Sequence, residues 1–218
     1  MLATWAAGVG LSGAVVAWWQ IVGRGFRALS AMVVLLLAVP AAAAGAGAAA
    51  WVGCGLMALG LLVRRPEPHA VLSAAAGGAL LVAAAIEGGV LPALTGSIFL
   101  GGVTGEMLLG HWYLVDPTLP RPALRRIALA GGAGVAADVI ALVALGAIPW
   151  LGGDAVAGIG YLVLAATSAL LMVGVWSALG ERGYSGVMSA TGLSYLAVLT
   201  GAGTAVLGRL LLDPPVLG

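Results

Sequence analysis

Apolar residues fill this chain in long stretches, interrupted by short knots of charge, proline and glycine. A bilayer-spanning helix needs about 20 apolar residues, with about 17 as the short limit. The first stretch, about 3–22, is closed by Gly23-Arg24-Gly25-Phe26-Arg27. The next charged knot is Arg64-Arg65, and the 36 residues from Ala28 to Val63 would make one helix of roughly 54 Å. A bilayer core is about 30 Å thick. The stretch is therefore cut into two short helices, about 28–44 and 46–63, turning near Ala44-Gly45-Ala46-Gly47, with Pro40 as a kink in the first. The remaining spans are predicted at about 70–86, 92–114, 123–148, 154–179 and 187–212. Asp116-Pro117, Pro149-Trp150 and Asp213-Pro214-Pro215 mark three of their ends. The pattern predicts an all-α transmembrane bundle of eight helices, forming one integral membrane domain over 1–218.

The charges support this count. Eight spans place Arg24, Arg27, Arg64, Arg65, Arg121, Arg125, Arg126 and Arg182 on one side and Arg209 alone on the other. Short cytoplasmic loops carry an excess of arginine and lysine. Merging spans two and three would put Arg24 and Arg64 on opposite sides. Both termini are therefore expected outside the cytoplasm. Trp5, Trp18, Trp19, Trp112, Trp150, Trp176 and Tyr184 fall near predicted helix ends, where interfacial aromatics gather, and Trp51 joins them if the third helix begins there.

Composition sharpens the class. Of 218 residues, 62% are hydrophobic and 8% charged, and the mean hydropathy is +1.14. Soluble domains carry about 25% charged residues. Nine arginines, no lysine and eight acids cannot coat a water-facing surface, which excludes a soluble enzyme, a nucleic-acid binder and a disordered tail. The net charge of +1 gives no attraction for nucleic acid. The single cysteine, Cys54, makes no intrachain disulfide and no cysteine-based metal site. Arginine to the exclusion of lysine, with 36 glycines, points to a GC-rich bacterial genome and so to the bacterial inner membrane. The first stretch lacks a basic leader, so no cleavable signal peptide is expected. Glycines such as Gly101-x-x-x-Gly105 and Gly131-Gly132-Ala133-Gly134 read as close helix packing, since no strand precedes them as a phosphate loop would need. No internal repeat stands out, and the loops leave no room for a soluble domain.

Charges inside a span cost about 2.5–3.5 kcal/mol each on the insertion scale, so each needs a reason. Glu106 lies roughly 12 Å from the cytoplasmic end of span five, and Asp138 near the midplane of span six. Consecutive spans are usually neighbours, so the two acids are expected to share one polar interior. They either bond across helices as neutral acids or handle protons or a ligand. Glu106, Gly110 and Tyr113 fall on one helix face, while His111 points elsewhere, with Met107 and Thr104. His111, Trp112 and Tyr113 sit at the cytoplasmic interface, as headgroup anchors or as the wall of an inner-leaflet site. His69, which opens span four after a proline-rich loop and is expected to be wet, lies on the same side. Two histidines there raise the alternative of a b-type haem ligated by His69 and His111. On the outer side, Glu87, Asp154 and Arg209 lie near helix ends, and Arg209 is expected to pair with an acid. Gly10-Leu11-Ser12-Gly13 has the form of an intramembrane serine-protease motif, but the histidines lie too far along the chain and at helix ends.

The eight spans and the ending Leu207-Gly208-Arg209-Leu210-Leu211-Leu212 resemble the membrane-anchor subunits of bacterial dimethyl sulfoxide and polysulfide reductases. Those are quinone-reactive helical bundles whose last helix often ends in such a Gly-Arg-aliphatic run. The Gly-His-Trp-Tyr-Leu segment at 110–114 is not one of theirs. It resembles a segment of bacterial membrane proteins without an assigned activity. Three functions follow as expectations. One is a membrane subunit of a respiratory or electron-transfer complex, with a quinone-like ligand lined by Glu106, His111, Tyr113 and Asp138, and with membrane lipid and other subunits as partners. The second is a small proton-coupled transporter with Glu106 and Asp138 as relay. The third is a structural or assembly protein without a ligand.

Overall fold

A computed structural model describes residues 1–149 and 155–212. Its described residues form eight helices and no strands: α1 (Leu2–Trp18), α2 (Arg24–Ala43), α3 (Gly47–Leu62), α4 (Pro66–Gly88), α5 (Val90–Val115), α6 (Arg121–Ala144), α7 (Ala155–Ala178) and α8 (Tyr184–Leu212). Six are long and apolar enough to cross a membrane, while α1 and α3 are shorter apolar helices. This is the helical apolar bundle of an integral membrane protein.

Local chemistry sets the boundaries. The expected turn between α2 and α3 is present, and Gly45 (φ +102°) and Gly47 (φ +80°) adopt the left-handed backbone that only glycine takes freely. Pro40 lies in the last turn of α2. α1 stops at Trp18, four residues before the expected end, because Gln20 turns left-handed (φ +56°) and its N–H closes back on the Ala17 carbonyl. α4 begins at Pro66, not Ala70. Arg65 is extended, as a residue before proline prefers, and Pro66 takes the first helical position, where its missing N–H costs nothing. His69 therefore sits inside the helix and is buried, which corrects the expectation that it is wet. The expected helix-end markers Trp150, Asp154 and Asp213-Pro214-Pro215 lie outside the described residues.

The packing reveals a duplication that the residues did not announce. α1 packs on α2, α2 on α3, α3 on α4 and α4 back on α1. α5 to α8 close a second ring in the same order. The two four-helix units meet through α5, which lies against α1 and α4. Residue pairings fix the directions. Thr4 faces Ser97 and Gly96 while Ser12 faces Gly105, so α1 and α5 run parallel. Thr95 meets Asp138 while Gly102 meets Gly131, so α5 and α6 run antiparallel.

One local device occurs in both units. Near the start of α2, Arg27 donates to the carbonyls of Val22 and Arg64, tying the α1–α2 loop to the α3–α4 loop. At the start of α6, Arg121 donates to the carbonyls of Glu181 and Gly183, tying α6 to the α7–α8 loop. The helix directions gather Arg24, Arg27, Arg64, Arg65, Arg121, Arg125, Arg126 and Arg182 at one end of the bundle, with Arg209 at the other.

The units approach through glycine. The backbones of Gly8 and Gly101 are so close that a Cβ on either would overlap the other helix. Between α5 and α6, Gly102 does the same against the Gly131 backbone and Gly134 against the Phe99 backbone. Lipid chains are as apolar as leucine, so van der Waals contact and interhelical hydrogen bonds must hold such helices together, and small residues allow both. α5 is the most enclosed of the long helices, and it carries the polar residues of interest.

Candidate functional site

Both intramembrane acids face protein. Glu106 is fully enclosed and Asp138 is 7% exposed. They do not share one interior, which corrects the expectation from span order. α6 starts at Arg121, so Asp138 lies seventeen residues along it, past the midplane and near the arginine-poor end. Its partner Thr95 is eleven residues from Glu106 on α5, about 16 Å along the axis. Buried Phe99, Leu100 and Val103 occupy α5 between the two levels.

The acids have the same hydrogen-bond arrangement. Ser194 Oγ on α8 lies against Glu106 Oε2 and also 2.7 Å from the Ala190 carbonyl of its own helix. Thr95 Oγ1 on α5 lies 3.0 Å from Asp138 Oδ1 and 3.1 Å from the Leu91 carbonyl of its own helix. A hydroxyl has one hydrogen to donate and two lone pairs to accept with. A backbone carbonyl can only accept. When the hydroxyl gives its hydrogen to that carbonyl, the oxygen of the facing carboxyl must supply the hydrogen between them. Each site can therefore accommodate a neutral acid, with carboxyl O–H to hydroxyl and hydroxyl to helix carbonyl. Asp138 Oδ2 accepts from the Tyr161 hydroxyl at 3.0 Å, which completes its set. Glu106 Oε1 has no partner and points toward Gly110, close to Thr191 on α8. An unpaired carbonyl-type oxygen costs far less than an unpaired charge in such a place.

The surroundings of the two acids differ. Asp138 lines a small cavity with Thr4, Gly96, Gly208 and Arg209. Arg209 also lines a wider cleft, about 370 Å³, with Glu87 at the arginine-poor end. The Arg209 guanidinium donates to Thr4 Oγ1 at 2.8 Å, and among the described residues it forms no ion pair with an acid. Asp154 lies outside the described residues. Glu106 is sealed among α5, α6 and α8, with Leu124 beside Gly110.

The expected face of Glu106, Gly110 and Tyr113 is buried as a unit. Arg121 Nε stands 3.5 Å from the Tyr113 hydroxyl. His111 is elsewhere: it is exposed, and its Nδ1 lies 2.9 Å from the hydroxyl of Tyr195 on α8. Of the four residues expected to line a quinone-like ligand, Glu106 and Tyr113 share a buried face. His111 lies on the bundle surface, and Asp138 belongs to another level. Trp112 is half-buried and meets Phe26 edge-on at 6.1 Å, so it ties α5 to α2 as well as marking depth. His69 Nδ1 lies 3.0 Å from the Gly60 carbonyl on α3. It faces α3 while His111 faces α8, so the pair expected for a haem does not converge. Ser12 Oγ donates to Val9 of its own helix, an ordinary helical back-bond.

Ser194, Thr95 and Tyr161 complete the sites and were not singled out from the sequence as partners. Tyr161 left a signal, a bulky phenol early in span seven. Ser194 left none, being one of several hydroxyl residues in the last helix. Comparisons with protein-family models, with characterised proteins and with solved structures found no match. The geometry therefore carries the functional reading.

Proposed function

We propose that this is a polytopic protein of the bacterial inner membrane, with its arginine-rich end cytoplasmic and both termini outside, and that it works as a small proton-coupled transporter. The observation that carries this reading is the shared acid–hydroxyl–carbonyl chain at Glu106 and Asp138, which favours a held proton at two levels of the second unit. The small cavity at Asp138 and the cleft at Glu87 share Arg209 in their lining, which favours an outer proton route past Arg209. The duplicated four-helix topology adds support, because many transporters are built from two repeats that rock about a central site. Phe99, Leu100 and Val103 form the apolar barrier such a device needs between its two levels.

The test is reconstitution into liposomes with an imposed pH gradient, followed by a screen of solute classes for gradient dissipation. The reading expects at least one class to dissipate it in the wild type and none in Glu106→Gln. Dissipation unchanged in both Glu106→Gln and Asp138→Asn contradicts it.

A second reading keeps the chain as a quinone-reactive subunit of an electron-transfer complex, bound to other subunits. The exposed His111–Tyr195 pair favours it, since both side chains stand where a quinone arriving from lipid could be hydrogen-bonded. Quinone analysis of the purified protein, with wild type compared to His111→Ala, separates this reading from the first.

A further inference from the structure

Between α1 and α6, over the face of α5, runs an open groove of about 300 Å³. Its floor is made by Gly8, Gly101 and Gly102. A Cβ on Gly102 would stand 2.5 Å from the Gly131 backbone, so the floor is held at glycine by packing beneath it. Leu11, Val15 and Ile98 supply apolar walls. The groove is therefore a slot for hydrocarbon, open sideways to the bilayer.

Its end is different. At the arginine-rich end the lining finishes in Trp19 and Arg126, with the guanidinium carbon 6.0 Å from the centre of the indole ring. Arg27 and Arg121 are committed to loop carbonyls, whereas Arg126 is exposed at the groove mouth. Indole rings settle at headgroup level, and guanidinium is the side chain best matched to phosphate oxygens. A cation above an acyl-sized slot is complementary to one kind of molecule, an amphiphile with an anionic head. A second groove, about 450 Å³ between α6 and α7, makes the contrast. It ends on Trp176, but Arg125 lies stacked over that ring at 4.2 Å and is not part of the lining.

We propose that the α1–α5–α6 groove binds an anionic phospholipid, one acyl chain lying over the glycine floor and the phosphate paired with Arg126. Trp19 fixes the headgroup depth. The bound lipid fills the space between the two four-helix units on this flank, so it is placed to couple their packing.

Native mass spectrometry of the full chain, titrated with phosphatidylglycerol or with phosphatidylcholine of the same chains, tests the site. One arginine near a headgroup is worth about 1 kcal/mol, or about a fivefold preference for the anionic lipid. Wild type should show that preference, Arg126→Gln should lose it, and Arg125→Gln should keep it. Ala130→Phe, which fills an exposed wall of the groove, should weaken both lipids without changing charge. Retention of the full preference in Arg126→Gln, or unaltered binding in Ala130→Phe, overturns the proposal. Displacement of phosphatidylglycerol by an equal concentration of inorganic phosphate also overturns it, since the affinity would then lie in the headgroup alone.

Discussion

The two four-helix units share a topology but use their buried polar groups differently. In the first, buried polarity is tied to backbone: Arg27 to Arg64 O, Ser73 to Gly10 O at 2.8 Å, His69 to Gly60 O. Each bond is a brace between a side chain and a fixed carbonyl. In the second, the acids Glu106 and Asp138 end on hydroxyls that can act as donor or acceptor. A brace to a carbonyl has one state. An acid facing a hydroxyl has two, because the hydrogen can be lost and the hydroxyl can turn to donate. On the proposed reading, the acids of the second unit are the groups that change protonation, and the backbone braces of the first unit serve as scaffold.

The seam between the units should be the most sensitive place. Gly101→Leu forces a side chain into the backbone of α1 and is expected to cost about 3 kcal/mol, the upper end for overpacking. Thermal unfolding in detergent, followed by size-exclusion chromatography, should show little intact protein. A monodisperse variant of wild-type stability would mean the units do not meet there. The arginine braces come next. Arg27→Met strands carbonyls in a buried setting and should cost about 2 kcal/mol, whereas Arg121→Met, in a half-exposed one, should cost about 1 kcal/mol. Equal losses would remove the distinction between a deep and a shallow brace.

Smaller effects bear on the acids. Ser194→Ala removes one interhelical hydrogen bond in the membrane and should cost about 0.6 kcal/mol, the average for such bonds. Glu106→Gln can keep a donor toward Ser194, so its stability should stay near wild type while gradient dissipation is lost. Full function in that variant would make Glu106 a brace like those of the first unit. His111→Ala, at an exposed pair, should change stability by no more than about 0.5 kcal/mol. A loss of several times that would show a packing role at the bundle surface.

Much of this fold was legible in the chain. The cut at Ala44–Gly47 was readable because one helix through that stretch is too long and glycine marks the turn. Arginine spacing then set the alternation of the helices. The face of Glu106, Gly110 and Tyr113 was readable from helical periodicity. The duplication was not, because it resides in helix order and in the paired roles of Arg27 and Arg121, not in repeated residue identities. Sequence order also misled about Asp138. Neighbouring spans do touch, but antiparallel packing puts residue 138 opposite residue 95 rather than 106. Ser194 lies 88 residues from Glu106, and nothing local shows that α5 and α8 close a ring.

The central claim is that Glu106 and Asp138 hold protons at neutral pH in the second unit. Infrared spectroscopy of the protein in bilayers, in heavy and light water, reads this directly through the stretch of a protonated carboxyl. Two such bands are expected at neutral pH, one absent in Glu106→Gln and one absent in Asp138→Asn, with the Glu106 band displaced in Ser194→Ala. If neither variant removes a protonated-carboxyl band, and each instead removes intensity from the ionised carboxylate region, the account is wrong.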